Sequence, residues 1–276
     1  VGIAMTSTAL GTLLPIIKQL GLLDKPLGRA VMANGAVGEL GPILAMSLLL
    51  TSRNVGAAVV VLILFAVAAL VIAYVPAHVI RRVPFLGESL RVMSSGTIQL
   101  PIRVVLLLLV GLMTVAAVFD LDVVLGAFAA GMILRRLLGD SRAALEGSLD
   151  VIGFGVFIPI FFVISGMAID IHAVLSAPGT WAGFVLAIAV ARGLPVWFSE
   201  RFVIHGANLP SVRERAQLAL YAATGLPIIV AVTQVAVGAD LLSTELASAM
   251  VAAGATTVLV FPLIARLVGD GAPRTD

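Results

Sequence analysis

The chain has 276 residues, of which 61% are hydrophobic and 12% are charged, and its mean hydropathy is +1.16. Charged residues make up about a quarter of ordinary soluble domains, so this composition excludes a soluble globule and indicates an all-α, polytopic membrane protein. The net charge of +2 does not indicate a nucleic-acid partner, because the basic residues are spread over many short loops. The absence of cysteine excludes disulfides and cysteine-ligated metals, and three scattered histidines show no metal-binding spacing. We therefore expect no cofactor.

About nine apolar segments follow one another, and most are long enough to cross a bilayer as helices. They cover residues 2–20, 28–51, 57–77, 98–119, 123–138, 150–170, 181–199, 214–237 and 244–268. The first residue is Val1, and no basic segment or cleavage signal precedes the first apolar run. We therefore expect a fragment that begins inside a membrane domain and lacks upstream helices.

Lysine and arginine are distributed very unevenly between the two sides of this arrangement. The side on which the first segment ends receives nearly all of them, whereas the opposite side receives only Arg53, and Arg192 lies inside the seventh segment. By the positive-inside rule the basic side is cytoplasmic. The pattern predicts a multi-pass protein of the cell membrane whose fragment starts outside and ends in the cytoplasm.

The second segment carries a carboxylate, Glu39, near its middle. An acidic side chain at the centre of a membrane helix costs about 2.5–3.5 kcal/mol on insertion scales, and such residues are functional by default. Gly35, Gly38 and Gly41 recur along a nearby strip, where they allow another backbone to approach closely. Glu39 is therefore the first candidate site residue.

Arg192 is the other charge well inside a predicted span. Charges inside a membrane tend to face the bundle interior and to pair with each other, so we expect Arg192 to be the charge partner of Glu39. The alternative is a buried ion pair that only fixes the packing of the helices.

Two segments show signs of a helix break in mid-membrane. Proline removes a backbone donor and glycine loosens the helix, and each segment holds both; the predicted break residues are Gly11, Pro15, Gly225 and Pro227. Freed carbonyls and nearby hydroxyls would be hard oxygen ligands for a small cation, the hydroxyl candidates being Thr6, Thr8 and Thr224. The alternative for each segment is an ordinary kinked helix.

The two interrupted segments run in opposite directions across the membrane, and each is followed by a long span. This order suggests an inverted repeat, which is typical of secondary transporters with a site at the membrane midplane. A cation channel, an organic-solute transporter and a non-transporting scaffold remain alternatives. An enzyme is not expected, because the sequence shows no nucleophile–base pair and no metal cluster.

Four motifs in order resemble the monovalent cation:proton antiporters of the sodium/hydrogen exchanger superfamily. They are Ala4-Met-Thr-Ser-Thr-Ala9, Ala36-Val-Gly-Glu-Leu-Gly-Pro42, Leu125-Gly-Ala-Phe-Ala-Ala-Gly131 and Pro159-Ile-Phe-Phe-Val-Ile-Ser-Gly-Met-Ala-Ile-Asp170. The chain is most similar to the branch that includes the glutathione-gated potassium efflux systems, and the resemblance runs through essentially the whole sequence.

The resemblance implies two inverted repeats with crossed broken helices, an elevator-like motion and a homodimer. It assigns the ion-binding carboxylate to Glu39 and its basic partner to Arg192. It also implies a division of the chain into the first part of an ion-transporting core (1–52), a linking helix with a cytoplasmic interfacial loop (53–97), scaffold and dimerisation helices (98–172), a second core repeat (173–268) and a polar tail (269–276).

The chain departs from the family pattern beside the carboxylate. Many members carry two adjacent acids, or Asn-Asp, where this chain has Gly38-Glu39, and electrogenic members tend to have lysine where it has Arg192. A single carboxylate, together with an arginine that stays protonated in proteins, favours electroneutral exchange of one monovalent cation, Na⁺ or K⁺, for one proton.

Overall fold

The computed structural model of the chain describes residues 1–49, 55–82, 100–119, 121–137, 142–167, 169–202, 209 and 211–270. Within these ranges the secondary structure is helical. The first half contains α1 (Gly2–Met5), α2 (Leu10–Gln19), α3 (Pro26–Leu49), α4 (Val55–Arg82), α5 (Leu100–Val118) and α6 (Val123–Leu137). The second half contains α7 (Arg142–Ile152), α8 (Ile158–Met167), α9 (Ile171–Ser176), α10 (Pro178–Ile188), α11 (Leu194–Phe202), α12 (Val212–Ala222), α13 (Leu226–Gly238) and α14 (Thr244–Asp270).

Each predicted apolar segment lies on a described helix or on a pair of consecutive helices, so the all-α membrane architecture is confirmed. Turns of π-helix, Gly153–Phe157 and Ala189–Gly193, join α7 to α8 and α10 to α11 without interrupting the helical path. Among the described residues, four continuous or nearly continuous stretches are long and apolar enough to cross a membrane: Leu145–Met167, Pro178–Glu200, Val212–Gly238 and Thr244–Gly269.

The structure differs from the predicted segments in two places. The sixth helical stretch begins at Arg142 instead of residue 150, because the polar but helix-favouring residues before the apolar run join the helix. A short helix, α9, lies between the sixth and seventh stretches, and the Asp170 side chain caps it by accepting a hydrogen bond from the Ala173 N–H. Residues 83–97 of the predicted interfacial loop lie outside the described residues, as do residues 271–276 of the predicted polar tail.

The chain divides into two compact units. The first comprises Val1–Ala45 and Ile164–Asp276, and the second comprises Met46–Val163. The core of the first unit gathers side chains from α2, α3, α11, α12 and α14, with Leu13, Ile17, Val31, Leu218 and Tyr221 almost fully buried. All of the candidate site residues belong to this unit. The division of the chain into transporting core and scaffold stays a prediction.

In the second unit, α5 and α6 pack closely because one glycine allows the backbones to meet. A Cβ atom added at Gly126 of α6 would lie 2.7 Å from the Met113 Cα and would also meet the Leu112 carbonyl. A Cβ atom at Gly131 of the same helix would meet nothing within 4 Å. The two glycines therefore differ in what they contribute, although both belong to the motif of residues 125–131.

We expect Gly126→Ala to destabilise the protein by about 1–3 kcal/mol, because the added methyl group would overpack the α5–α6 contact against rigid backbone. Gly131→Ala is the matched control, and it should leave stability unchanged or raise it, since alanine favours a helix over glycine. Thermal unfolding in detergent micelles measures both. Equal unfolding temperatures for the two variants would contradict this account of the contact.

Candidate functional site

The first apolar segment is interrupted at residues 6–9, between the end of α1 and the start of α2. The Thr6 hydroxyl donates a hydrogen bond to the Ile3 carbonyl (3.0 Å), and the Ser7 hydroxyl donates one to the Ala4 carbonyl (2.8 Å). Serine and threonine side chains compete in this way with helical backbone pairing, so the consecutive hydroxyl residues close the end of α1.

The predicted break residues Gly11 and Pro15 lie inside α2 and not at the interruption, so that part of the prediction is wrong. Proline in a helix interior deprives the helix of one hydrogen bond, here the bond from residue 15 to the Gly11 carbonyl. The helix continues past this loss because Leu13 and Ile17 on either side are completely buried. Packing therefore outweighs the missing bond.

The second interruption covers residues 223–225, between α12 and α13. Gly225 is the residue that precedes the first turn of α13, and Pro227 lies within that turn, where a helix has no need of the missing N–H donor. The Thr224 hydroxyl donates a hydrogen bond back to the Tyr221 carbonyl (2.8 Å). Glycine and proline thus mark this interruption directly.

The two interruptions lie against each other and share hydrogen bonds. The Ala9 N–H donates to the Thr224 carbonyl (2.5 Å), and the Thr8 hydroxyl donates to the Ala222 carbonyl (2.6 Å). The Ser7 hydroxyl also reaches the Gly225 carbonyl (3.1 Å), and a Cβ atom at position 225 would lie 2.8 Å from the Ser7 carbonyl oxygen. We call the residues of the two interruptions, 6–9 and 223–225, the crossing.

Glu39 lies on α3 and reaches the N-terminal end of α2. Its Oε1 accepts a hydrogen bond from the Leu10 N–H (2.8 Å), the first N–H group of α2. The first N–H groups of a helix have no partner within it, and the helix dipole stabilises a negative charge there by up to about 2 kcal/mol in a partly buried setting. This offsets much of the cost of about 2.5–3.5 kcal/mol for an acid in mid-membrane.

Arg192 enters the crossing from the π-helical turn between α10 and α11. Its Nε donates to the Thr8 hydroxyl oxygen (3.0 Å), and its Nη2 donates to the Asn34 carbonyl of α3 (2.7 Å). Among the described residues, Arg192 therefore forms no direct ion pair with Glu39, and that prediction is wrong. The physical reason is that the carboxylate is held by the end of α2 while the guanidinium is held by Thr8 and Asn34.

Gly38 is the residue that lets these groups come together. The Thr8 N–H donates to the Gly38 carbonyl (3.2 Å), and a Cβ atom at position 38 would collide with the Thr8 side chain and with Arg192 Nη2. Gly41, one turn along α3, has nothing within 4 Å of the same hypothetical atom. The close approach therefore depends on the absence of a side chain at position 38.

The sequence-predicted hydroxyls occupy different environments at the crossing. The side chains of Thr8 and Thr224 are fully buried, whereas Thr6 is exposed. The site residues predicted from the sequence do not include Ser7 or Asn34. Ser7 lies between the predicted ligands Thr6 and Thr8, so its position in the sequence could have indicated a contact at the site. The contact at Asn34 is made by its backbone carbonyl, which every residue type carries.

The chain was compared with known proteins. The family model described as "Sodium/hydrogen exchanger, transmembrane" matches residues 1–268. The Bacillus subtilis (strain 168) protein "Putative Na(+)/H(+) antiporter YjbQ" is 26% identical over 203 residues, which cover 72% of this chain and 32% of the relative. The chain thus matches about a third of the length of that relative. Because the family model spans nearly the whole sequence, the chain belongs to the transmembrane sodium/hydrogen exchanger family.

Proposed function

We propose that the protein exchanges a monovalent cation for a proton across the membrane, with Glu39 as the site that the two ions share. The observation that carries this proposal is the position of the Glu39 carboxylate at the N-terminal end of α2, beside the crossing of two interrupted membrane segments. The family of the chain supports cation:proton exchange as the reaction class. Interrupted helices that meet in mid-membrane are where secondary transporters bind their ions.

Competition at one carboxylate is enough to couple the two fluxes. A protonated Glu39 is neutral and has no charge with which to attract a cation, whereas an ionised Glu39 offers oxygen atoms that suit a small hard cation. If the site faces each side of the membrane in turn, it carries either ion but never both. The bond from the end of α2 holds the carboxylate in place in both states.

Further ligands for the cation come from the crossing in this proposal. Thr6 is the candidate hydroxyl whose side chain is exposed, whereas the side chains of Thr8 and Thr224 are buried. The hydroxyl proton of Thr224 is already donated to the Tyr221 carbonyl, which leaves its oxygen lone pairs facing away from that bond. The sequence pattern also predicts Thr8 as a ligand, because its hydroxyl lies in the first interrupted segment.

The proposed exchange is electroneutral. Among the described residues, Glu39 is the acid that contacts the end of an interrupted helix, at the start of α2. Arg192 keeps its proton, so a single carboxylate carries one charge in each direction. We further propose a homodimer in the cell membrane, with the N-terminal end of this chain outside and its C-terminal end in the cytoplasm, as the distribution of lysine and arginine predicts.

Glu39→Gln should abolish coupled exchange, because glutamine can accept the same N–H bond but cannot release a proton. The assay imposes a pH gradient on proteoliposomes, adds sodium or potassium, and follows internal pH. The matched control is Glu245→Gln, an acid at the exposed start of α14, which should exchange like the wild type. Full exchange by Glu39→Gln would exclude Glu39 as the site, and cation flux without proton movement would indicate a channel.

Electroneutral exchange should not respond to membrane potential. Proteoliposomes clamped at 0 and at about −100 mV would differ by roughly 2.3 kcal/mol for each net charge moved per cycle. We expect the same initial rates and the same equilibrium proton gradient at both potentials. A gradient that grows with the imposed potential would show that net charge moves, and the one-for-one stoichiometry would be wrong.

Gly38→Ala should impair exchange strongly, because the added methyl group would push Thr8 and Arg192 away from α3. Gly41→Ala is the matched control on the same helix and should remain active, since its methyl group meets nothing within 4 Å. Initial rates in the proteoliposome assay, corrected for the amount of folded protein, compare the two. Equal rates would mean that the close approach at position 38 is unimportant for transport.

A further inference from the structure

Thr8 contacts three other segments of the chain through two of its polar groups. Its hydroxyl accepts a hydrogen bond from Arg192 Nε (3.0 Å) and donates one to the Ala222 carbonyl at the end of α12 (2.6 Å). Its backbone N–H donates to the Gly38 carbonyl of α3 (3.2 Å), and the residue itself belongs to the first interruption. The side chain is 0% exposed, so these hydrogen bonds are shielded from solvent.

These contacts leave little capacity for a transported ion on the Thr8 oxygen. A hydroxyl has one proton and two lone pairs. The hydroxyl donates its one hydrogen bond to the Ala222 carbonyl, and its oxygen accepts a hydrogen bond from the charged guanidinium group of Arg192. A cation bound to the same atom would lie close to the fixed positive charge of Arg192, and the like charges would repel each other.

We propose that Thr8 is a positioning residue for Arg192 and not a ligand of the transported cation. The inference rests on the proposed function, because positioning Arg192 matters only if the crossing carries ions. The guanidinium group of Arg192 is held at two nitrogen atoms by different segments of the chain. The Thr8 hydroxyl binds Nε, and the Asn34 carbonyl binds Nη2. These two bonds hold the guanidinium group at Thr8 and Asn34, while the Glu39 carboxylate is bound to the N-terminal end of α2.

Losing the Thr8 hydroxyl would remove the hydrogen bond to Nε of Arg192. Arg192 would then be free to approach Glu39, the acid that contacts α2 beside the crossing, and to compete with the cation for the carboxylate. A guanidinium closer to the carboxylate favours its ionised form. The proton would therefore be released at lower pH, and the pH range of exchange would move toward acid.

The transport test compares Thr8→Val, which has nearly the same shape without the hydroxyl, with Thr8→Ser, which keeps it. Thr257→Val is the matched control, since Thr257 is also 0% exposed and its hydroxyl bonds only to the local Gly254 carbonyl. We expect Thr8→Val to lower the maximal exchange rate about tenfold or more, as for the loss of one hydrogen bond to a charged group. Its pH profile should shift toward acid, whereas Thr8→Ser and Thr257→Val should match the wild type.

A direct ligand would behave differently. If Thr8 bound the cation, Thr8→Val would raise the apparent KM for the cation without lowering the maximal rate or moving the pH profile. That result would overturn the proposal. So would an inactive Thr8→Ser, because the proposal requires the hydroxyl to be sufficient, and so would unchanged exchange by Thr8→Val.

A double-mutant cycle tests the coupling without measuring transport. Thermal unfolding temperatures are compared for wild type, Thr8→Val, Arg192→Gln and the double variant. If Thr8 acts through Arg192, the two losses are not additive, and the double variant unfolds close to the less stable single variant. Strictly additive losses would overturn the proposal. An absence of exchange in the wild type would refute the proposed function, whereas this cycle would still report whether Thr8 positions Arg192.

Discussion

Hydrogen bonding of backbone groups in an apolar interior is the constraint on which the site depends. Where a membrane helix is interrupted, its freed N–H and C=O groups find no water and must find partners within the protein. Here each interruption supplies partners for the other, through Ala9 with Thr224 and through Thr8 with Ala222. Two interrupted helices that cross are therefore more stable together than either would be alone, and the crossing is a consequence of backbone chemistry.

The two charges of the site follow from the same arrangement. An interrupted helix leaves a partial positive charge at each new N-terminal end and a partial negative charge at each new C-terminal end. Glu39 binds the N-terminal end of α2, and Arg192 approaches the C-terminal end of α12 through the hydroxyl of Thr8. Each charge is thus stabilised locally without a direct ion pair. In the proposed function, this separation leaves the carboxylate available for a mobile ion.

Much of this arrangement could be predicted from the sequence. The apolar segments follow from hydropathy, and Glu39 and Arg192 stand out because charges in mid-membrane are costly. The directions of the segments stay a prediction from the basic residues. Gly225 and Pro227 also indicate the second interruption, since glycine and proline together weaken a helix. The family resemblance, confirmed by the match over residues 1–268, supplied the reaction class.

The remaining features depend on packing, which sequence patterns do not show. Pro15 looks like a helix break, but the burial of its neighbours keeps it inside α2. The sequence predicts an ion pair between Glu39 and Arg192 because these are the charged residues inside its apolar segments. The partners that they bind instead include a helix end and a backbone carbonyl, which a sequence does not reveal. The contact at Asn34 uses only the backbone, so any residue type could have made it. The assignment of scaffold helices and the homodimer stay predictions.

If the Glu39 carboxylate holds either a proton or a cation, then binding of the cation to the protonated site must release the proton. Sodium or potassium is added to the purified protein in weakly buffered detergent solution, and a pH indicator reports protons released. The account predicts about one proton released per protein at saturating concentration of the transported cation and none from Glu39→Gln. Cation binding by the wild type without proton release would contradict it.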